Sequence, residues 1–416
     1  MAKNKNSVFS FFQKKFAAPT SETNITPQIR IDDKGRKLMS FSTFGQTAEV
    51  MVPAFAEIRN KSLNRKIISI GDDNLFPDFL NYILNTSPKH GAIVQQKGTM
   101  ITGEGFAPTE DVVLNQFYAN PFGDETLKKI LPKSALDFVL YNYCALMVTW
   151  AKNRENVARV EYLDASTIRY MRNEKSDDSK TRAEQEDEGP QMIAVCNDWR
   201  NYGTNSSKWM IYPEFSKENF DENPTQILVI KRHYPRCEYY SAPTYISGIA
   251  WALLESMVAQ FHTRNIQQGF TPSMIMSFIG NPTSQEMEQN EAELKRQYQG
   301  VKGAGRVIIM YSQDKDSMPE VTPIVSNDSD ERYAALMESI TEGIMTSHQI
   351  TNPALFGIAI PGKLGATSAD ELLFSFQQYQ KTVIHPFQVE LEDQLTMLAK
   401  YNGAQEEVKI IPYNMT

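Results

Sequence analysis

The sequence has little that would support a disulfide framework, a metal centre or a membrane span. Its 416 residues include three cysteines, Cys144, Cys196 and Cys237, whose odd number and spacing match neither disulfide pairs nor a zinc motif. The five histidines are scattered, and none forms an H-x-x-x-H pair or neighbours a cysteine. The most apolar windows are about half of the roughly 20 residues that a membrane helix needs. We therefore expect free thiols in a reducing compartment, no metal, no cofactor and no membrane contact.

Catalytic signatures are also missing. No G-x-S-x-G or Ser-His-Asp arrangement occurs. The stretch GIAIPGKL approaches a phosphate-binding loop, because Gly357, Gly362 and Lys363 fit G-x-x-x-x-G-K. Leu364 stands where a magnesium-binding Ser or Thr is required, and Pro361 removes a backbone donor. The chain is predicted not to be an enzyme, and a nucleotide-binding enzyme that uses Gly357–Lys363 is kept as an alternative.

An excess of positive charge is absent as well. The formal net charge is -8, so the sequence is not that of a basic DNA-coating protein. Any contact with nucleic acid would be local, or would let DNA pass without holding its phosphates. Residues 1–60 are polar and weakly periodic, with several lysines near the start. They predict a flexible N-terminal arm rather than a targeting peptide.

The periodicity of the remaining chain predicts an α+β protein. Region 61–238 reads as mixed α and β: a turn at Gly71-Asp72-Asp73, helices to about residue 141 with a break at Pro132, and then a strand pair, CALMVTW and ARVEYLD. An acidic loop, 174–189, precedes further strand-like patches, MIAVCNDW, SKWMIYPE and QILVIKRH.

The second half is predicted to be mainly helical. Helix A covers about 241–268 and helix B about 329–349, each with an apolar stripe of 3.6-residue period. Between them, 305–311 and 319–325 predict a β-hairpin. Helix C runs from 368 to about 400, and Pro386 in its middle should kink or break it. The tail, EEVKIIPY, predicts one short strand.

This order of elements resembles the portal protein of tailed bacteriophages, of the small type found in HK97-like phages. The stretches that carry the resemblance are LNTSPKHGAIVQQKGTMITGEGF, the strand pair with VARVEYLDASTIRYM, ILVIKRHYPRCEYYSAPTYISGIAWALL with QGFTPSMIM, and SDERYAALMESITEGIMTSHQITNPALFGI with helix C. The resemblance covers about 60–400. It implies six regions: a wing (61–238), stem helix A (239–270), a clip (271–327), stem helix B (328–351), a tunnel loop (352–367) and a kinked spine helix with a minimal crown (368–401). The predicted arm (1–60) precedes them, and a C-terminal tail (402–416) follows.

The resemblance also implies roles for individual residues. The tunnel loop would line a DNA channel with Gly357, Pro361, Gly362, Lys363 and Gly365. The clip would meet the packaging motor and the tail adaptor through Arg306, Asp314, Lys315 and Asp316. The contacts between subunits in the stem would come from Ile249, Leu253, Met257, Met337 and Ile340. The kink of the spine would lie at Pro386.

The implied function is that of a ring at one capsid vertex, of twelve subunits by analogy with this family, through which DNA is packaged and ejected. The implied partners are further copies of the chain, double-stranded DNA, the terminase large subunit, a head–tail adaptor, the major capsid protein and a scaffold. The implied location is the virion, with the host cytoplasm during assembly. A capsid or tail structural protein without a DNA channel is the second alternative that remains open.

Overall fold

The computed structural model divides the chain into two compact units. Unit 1 comprises Met1–Ile249 and Met345–Thr416, and unit 2 comprises Ala250–Ile344. The structure describes residues 52–58, 66–172, 191–200, 209–217, 223–267, 274–279, 307–312, 329–358 and 368–414, together with two short strands before them.

The described chain contains both helices and strands, and most of its strand pairs are antiparallel, as is typical of an α+β protein. The helices are α1 (Phe76–Thr86), α2 (Pro88–Thr102), α3 (Val112–Ala119), α4 (Leu127–Tyr141), α5 (Ile249–Gln267), α6 (Ser329–Ser347), α7 (Ala369–Tyr379) and α8 (His385–Tyr401). The strands are β1 (Gln28–Ile31), β2 (Lys37–Ser40), β3 (Glu57–Ile58), β4 (Ser69–Ile70), β5 (Gly105–Phe106), β6 (Tyr143–Trp150), β7 (Val157–Leu163), β8 (Ile168–Tyr170), β9 (Met192–Val195), β10 (Met210–Pro213), β11 (Thr225–Lys231), β12 (Met274–Ile279), β13 (Val307–Ser312) and β14 (Ile410–Ile411). The predicted fold class, α+β, is confirmed.

Helix α2 packs closely against two other helices of unit 1. A Cβ atom added at Gly91 would lie 2.5 Å from the carbonyl oxygen of Leu84 in α1. One added at Gly98 would lie 3.4 Å from the Cα atom of Leu136 in α4. Glycine is therefore needed at the first position, and it allows close approach of the helix axes at the second. The buried face of α2 is fixed between α1 and α4 in this way.

Helix α4 continues through Pro132, where the sequence predicted a break. The proline lies in the second turn, so the one hydrogen bond lost is the one to the carbonyl of Lys128. Burial of Leu131, Ala135 and Phe138 on the same helix compensates for that loss. Tertiary packing therefore explains why α4 continues through Pro132, and the local sequence does not reveal that packing.

The central sheet of unit 1 has β6 between β11 and β7, with antiparallel pairing on both sides. Its centre, β6, is buried along nearly its whole length and contacts α4, while α8 contacts β7 and β11. This confirms the predicted strand pair and the predicted strand in QILVIKRH. A second sheet has the order β10-β9-β8, and its strands β9 and β10 lie in the predicted patches MIAVCNDW and SKWMIYPE. The short strand predicted in the tail is β14, which pairs with β5.

Helix A begins later than predicted. The structure has a 3-10 turn at Ile246–Gly248, and α5 starts at Ile249 rather than near 241. Pro243 disfavours helical geometry at the preceding residue, Ala242, so the chain is still irregular there. Just before this point, the Glu57 carboxylate accepts the backbone N–H groups of Glu238, Tyr239 and Tyr240 at 3.0, 2.8 and 2.6 Å.

Unit 2 contains α5, the strands β12 and β13, and α6 up to Ile344. The two strands pair in parallel, from Met274 opposite Val307 to Ile279 opposite Ser312. The predicted strand 305–311 is therefore found, but its partner is β12 rather than 319–325, which lies outside the described residues. Helices α5 and α6 meet where the Trp251 ring covers Gly343, since a Cβ atom there would lie 2.5 Å from the ring.

Candidate functional site

Most of the predicted docking and channel residues lie outside the part of the chain that the structure describes. For the clip these are Arg306, Asp314, Lys315 and Asp316. For the tunnel loop they are Pro361, Gly362, Lys363 and Gly365. Their roles remain predictions.

The five predicted stem residues differ in exposure. Ile249, Leu253 and Ile340 are buried within the single chain, each at most 2% exposed, so their side chains stabilise the subunit itself. Met257 and Met337 are half-buried. A contact between subunits through any of the five residues remains a prediction, and the two methionines keep surface available for it.

The predicted interruption of helix C coincides with a π-helical turn. Helix α7 ends at Tyr379, the π-helical turn covers Gln380–Ile384, and α8 starts at His385. Pro386 lies in the first turn of α8, where its missing N–H costs little, and the wider turn absorbs the ring. The role of this irregularity as the kink of a spine helix remains a prediction.

Gly357 is the one predicted tunnel-loop residue with a described environment. It follows the 3-10 turn Pro353–Phe356 and has a φ of 65°, which favours glycine. A Cβ atom there would meet nothing within 4 Å. A phosphate-binding loop follows a β-strand, whereas this glycine follows a 3-10 turn. The context therefore disfavours the nucleotide alternative.

The segment 348–358, which leads into the predicted tunnel loop, is held by its own backbone bonds. Gln349 adopts a left-handed conformation with φ of 59°, and the N–H of Ile350 donates to the carbonyl of Met345 at 3.0 Å. These bonds end α6 in a Schellman-type cap. The side chain of Asn352 then accepts the N–H of Ala354 at 3.0 Å and starts the 3-10 turn.

Three basic side chains meet beneath this segment: His90 and Lys97 from α2, and His348. Each of these residues is 1% exposed. Nδ1 of His90 and Nε2 of His348 lie 3.0 Å apart, so one nitrogen donates a hydrogen bond to the other. The ammonium of Lys97 donates to the carbonyl of His348 at 3.5 Å. We call these three residues the basic cluster.

Aromatic rings enclose the basic cluster. Tyr245 stacks on His348 with 4.8 Å between ring centroids and meets the edge of His90 at 4.7 Å. The hydroxyl of Tyr379 donates to the same His348 carbonyl at 3.1 Å, and its ring lies 5.9 Å from the Lys97 nitrogen. Phe356 packs on Tyr379, which connects the 3-10 turn to the cluster.

Burial dominates the electrostatics of the cluster. It lowers the pKa of His90 to about 3, with the charge of Lys97 as the second cause. It also lowers the pKa of His348 well below its usual value, followed by the charges of Lys97 and His90. The pKa of Lys97 falls to about 7 through burial and then through the charge of Arg232. Both histidines are therefore neutral at pH 7, and the cluster resists any added proton.

Sequence reasoning did not identify this cluster. The fold brings its members together, because His348 lies 258 residues from His90. The available signal was the pair of basic residues seven positions apart on an apolar helix face, a pattern that demands a special environment.

Two structural absences hold for the part of the chain that the structure describes. No helix among them combines the length and the apolar character needed to cross a bilayer. No group of three or more His, Cys, Asp or Glu side chains among them is arranged to bind a metal ion.

Comparison with known proteins gives one sequence relative and several structures. No protein-family model matches the sequence. Over 153 residues the chain is 26% identical to a probable portal protein of Haemophilus phage HP1 (strain HP1c1). The match covers 36% of this chain and 43% of that protein, so the chain spans less than half the length of the curated relative. The predicted resemblance to portal proteins is confirmed by this match.

Three of the similar solved structures come from gene transfer agent particles. The virion of the native particle gives a TM-score of 0.47 at 12% identity. The neck of the empty particle, computed with C6 symmetry, gives 0.46 at 14%, and the neck of the native particle, computed with C12 symmetry, gives 0.48 at 14%. Each similarity covers 80% of this chain and 83% of the other.

Proposed function

We propose that this chain is the subunit of a phage portal, a closed ring at one capsid vertex that conducts double-stranded DNA during packaging and ejection. The observation that carries the proposal is the sequence match to a probable portal protein. The ring would also be the docking platform for the terminase large subunit and a head–tail adaptor, and it would contact the major capsid protein and a scaffold. It would belong to the virion and assemble in the host cytoplasm.

The physical character of the chain supports a conduit rather than a tight DNA binder. The net charge of -8 disfavours a wall that pins phosphates by counterion release. A ring of identical subunits needs a head-to-tail interface that closes by rotation. The exposed apolar side chains of Trp251 and Phe261 on α5 are available for such an interface.

Electron microscopy of the purified full-length chain tests the ring. We expect closed rings with a central hole of about 25 Å or more, wide enough for duplex DNA, whose groove depths imply a diameter of about 20 Å. Monomers or open filaments in the presence of the scaffold and capsid proteins would contradict the portal and favour a structural protein without a channel.

A packaging assay tests the channel loop. Substitution Lys363→Ala should lower the yield of DNA-filled particles, because it removes the loop cation that would contact passing phosphates. The matched control is Lys381→Ala, which removes an exposed lysine from the π-helical turn. Equal packaging by both variants would refute the role of Lys363. ATP binding that is lost in Lys363→Ala would instead support the nucleotide-dependent alternative.

A further inference from the structure

The basic cluster has no acidic partner in the described structure. The groups that face His90 and His348 are Lys97 from α2, Tyr245 before α5, and Tyr379 from α7, and Arg232 acts on Lys97 from the end of β11. Neither their contacts nor the charges that shift their pKa values include a carboxylate. An added positive charge in this cluster therefore has nothing to neutralise it.

The hydrogen bond between the imidazoles leaves the outer nitrogen of each ring without a partner. In a neutral pair, one inner nitrogen donates and the other accepts. Nε2 of His90 and Nδ1 of His348 are buried and have no hydrogen-bond partner. A further proton must go to one of these two atoms, where it would be a buried charged donor with no acceptor.

The carbonyl of His348 ties the same cluster to the segment 348–358. It accepts the hydroxyl of Tyr379 and the ammonium of Lys97 at one oxygen atom. Tyr379 in turn packs against Phe356 of the 3-10 turn. Any displacement that brings His348 to water so that it can bind a proton therefore breaks the contacts that hold the start of the predicted tunnel loop.

We propose that His90, Lys97 and His348 form an acid-sensitive latch that holds the segment 348–358 while both imidazoles are neutral and releases it when either binds a proton. The latch follows from contacts within unit 1 and does not depend on ring formation. Its effect on a DNA channel would rest on the proposed function.

The direction with pH follows from linkage. A histidine with a lowered pKa in the closed state binds its proton only after opening, so acidification below its ordinary pKa favours the open state. For His90, with pKa values of 6.5 when exposed and about 3 when closed, the opening equilibrium rises about thirtyfold between about pH 7.5 and pH 5. His348 adds to the effect in the same direction.

Hydrogen exchange measured by mass spectrometry on the full-length chain tests the latch. After correction for the intrinsic pH dependence of exchange, peptides covering 348–358 should open at least about thirtyfold more at about pH 5 than at about pH 7.5. Peptides from the central strand β6 should not show this change. A corrected opening of 348–358 that is the same at both pH values in the wild-type chain would overturn the proposal.

Variants identify the proton acceptors. His348→Gln and His90→Gln each remove one titrating imidazole and should each reduce the pH dependence of opening. The matched control is His385→Gln, which removes an exposed histidine from unit 1 and should leave the dependence unchanged. If one cluster variant fails to fold, the other makes the same test. A pH dependence equal to wild type in a folded cluster variant would count against the latch.

The failure of this proposal is distinguishable from failure of the portal function. If the chain forms rings but shows no acid-dependent opening of 348–358, the portal proposal stands and the latch is refuted. If 348–358 opens at low pH and the chain forms no rings, the latch stands and the portal proposal is refuted.

Discussion

Substitution of Lys97 by methionine should stabilise the protein near neutral pH. The ammonium of Lys97 is buried beside two neutral imidazoles, and its folded pKa is about 7 against 10.5 in the unfolded chain. A difference of about 3.5 between these pKa values lowers the unfolding free energy by about 5 kcal/mol at a pH where Lys97 is charged in both states. Methionine keeps the unbranched shape without the charge, and the His348 carbonyl keeps its bond from Tyr379.

The direction in which the stability gain of Lys97→Met changes with pH distinguishes removal of the buried charge from ordinary repacking of the core. The pKa of Lys97 is lower in the folded chain than in the unfolded chain. The loss of unfolding free energy caused by burying its charge is therefore complete below about pH 7, shrinks as pH rises and is gone above about pH 10.5. The stability advantage of Lys97→Met should therefore narrow by about 3–4 kcal/mol between about pH 7 and pH 10.

Urea denaturation followed by circular dichroism at a series of pH values measures this advantage. The control is Lys381→Met, at an exposed position, which should give a difference from wild type that does not change with pH. An advantage of Lys97→Met that is constant from pH 7 to pH 10, or a loss of stability at pH 7, would refute the reasoning.

Three further substitutions test other parts of the fold. Asp137→Asn should stabilise the chain by up to about 4 kcal/mol above pH 7 and by little below pH 3.8, because burial raises the pKa of Asp137 to about 7. Urea titrations at about pH 4 and pH 8 measure this difference in unfolding free energy between the variant and the wild type. Glu57→Ala should cost about 2–4 kcal/mol, because three backbone N–H groups lose their acceptor, and should lower the melting temperature. Gly343→Val should cost at least about 2 kcal/mol in a urea titration by overlap with the Trp251 ring.

Two of these substitutions have a matched variant, and Asp137→Asn is compared with the wild type at two pH values. Glu104→Ala removes an exposed carboxylate and should leave the melting temperature unchanged, so equal shifts in both glutamate variants would contradict the role of Glu57. Adding Trp251→Ala to Gly343→Val should recover part of the lost stability, and a purely additive double variant would contradict the packing described for unit 2. A pH-independent difference for Asp137→Asn would show that its carboxyl titrates normally.

The sequence predicted those features that depend on local pattern. Strands β6, β7 and β11 were found because their apolar residues form short runs bounded by turns, and α6 because its stripe has helical period. The turn at Gly71 was found because glycine and aspartate favour that geometry, and Gly71 has a φ of 73°.

Features fixed by distant residues were not predictable in this way. The irregular stretch before α5 is bound by Glu57, which lies more than 180 residues earlier in the chain. The parallel pairing of β12 with β13 replaced a predicted hairpin, because a strand pattern does not identify its partner. The basic cluster joins His90 to His348 across 258 positions, and no local pattern carries that information.

Unit 1 is discontinuous in sequence, and this has a consequence for how the chain is made. Its last elements, α8 and β14, contact β7, β11 and β5, and the side chain of Asn402 accepts the N–H of Val157 at 2.7 Å. The ribosome must add about 165 residues after Ile249 before these partners exist, which takes roughly 10–30 s at usual rates of synthesis. During that time the surfaces of β7 and β11 that α8 later contacts remain exposed, and they need protection by chaperones or by rapid completion of the chain.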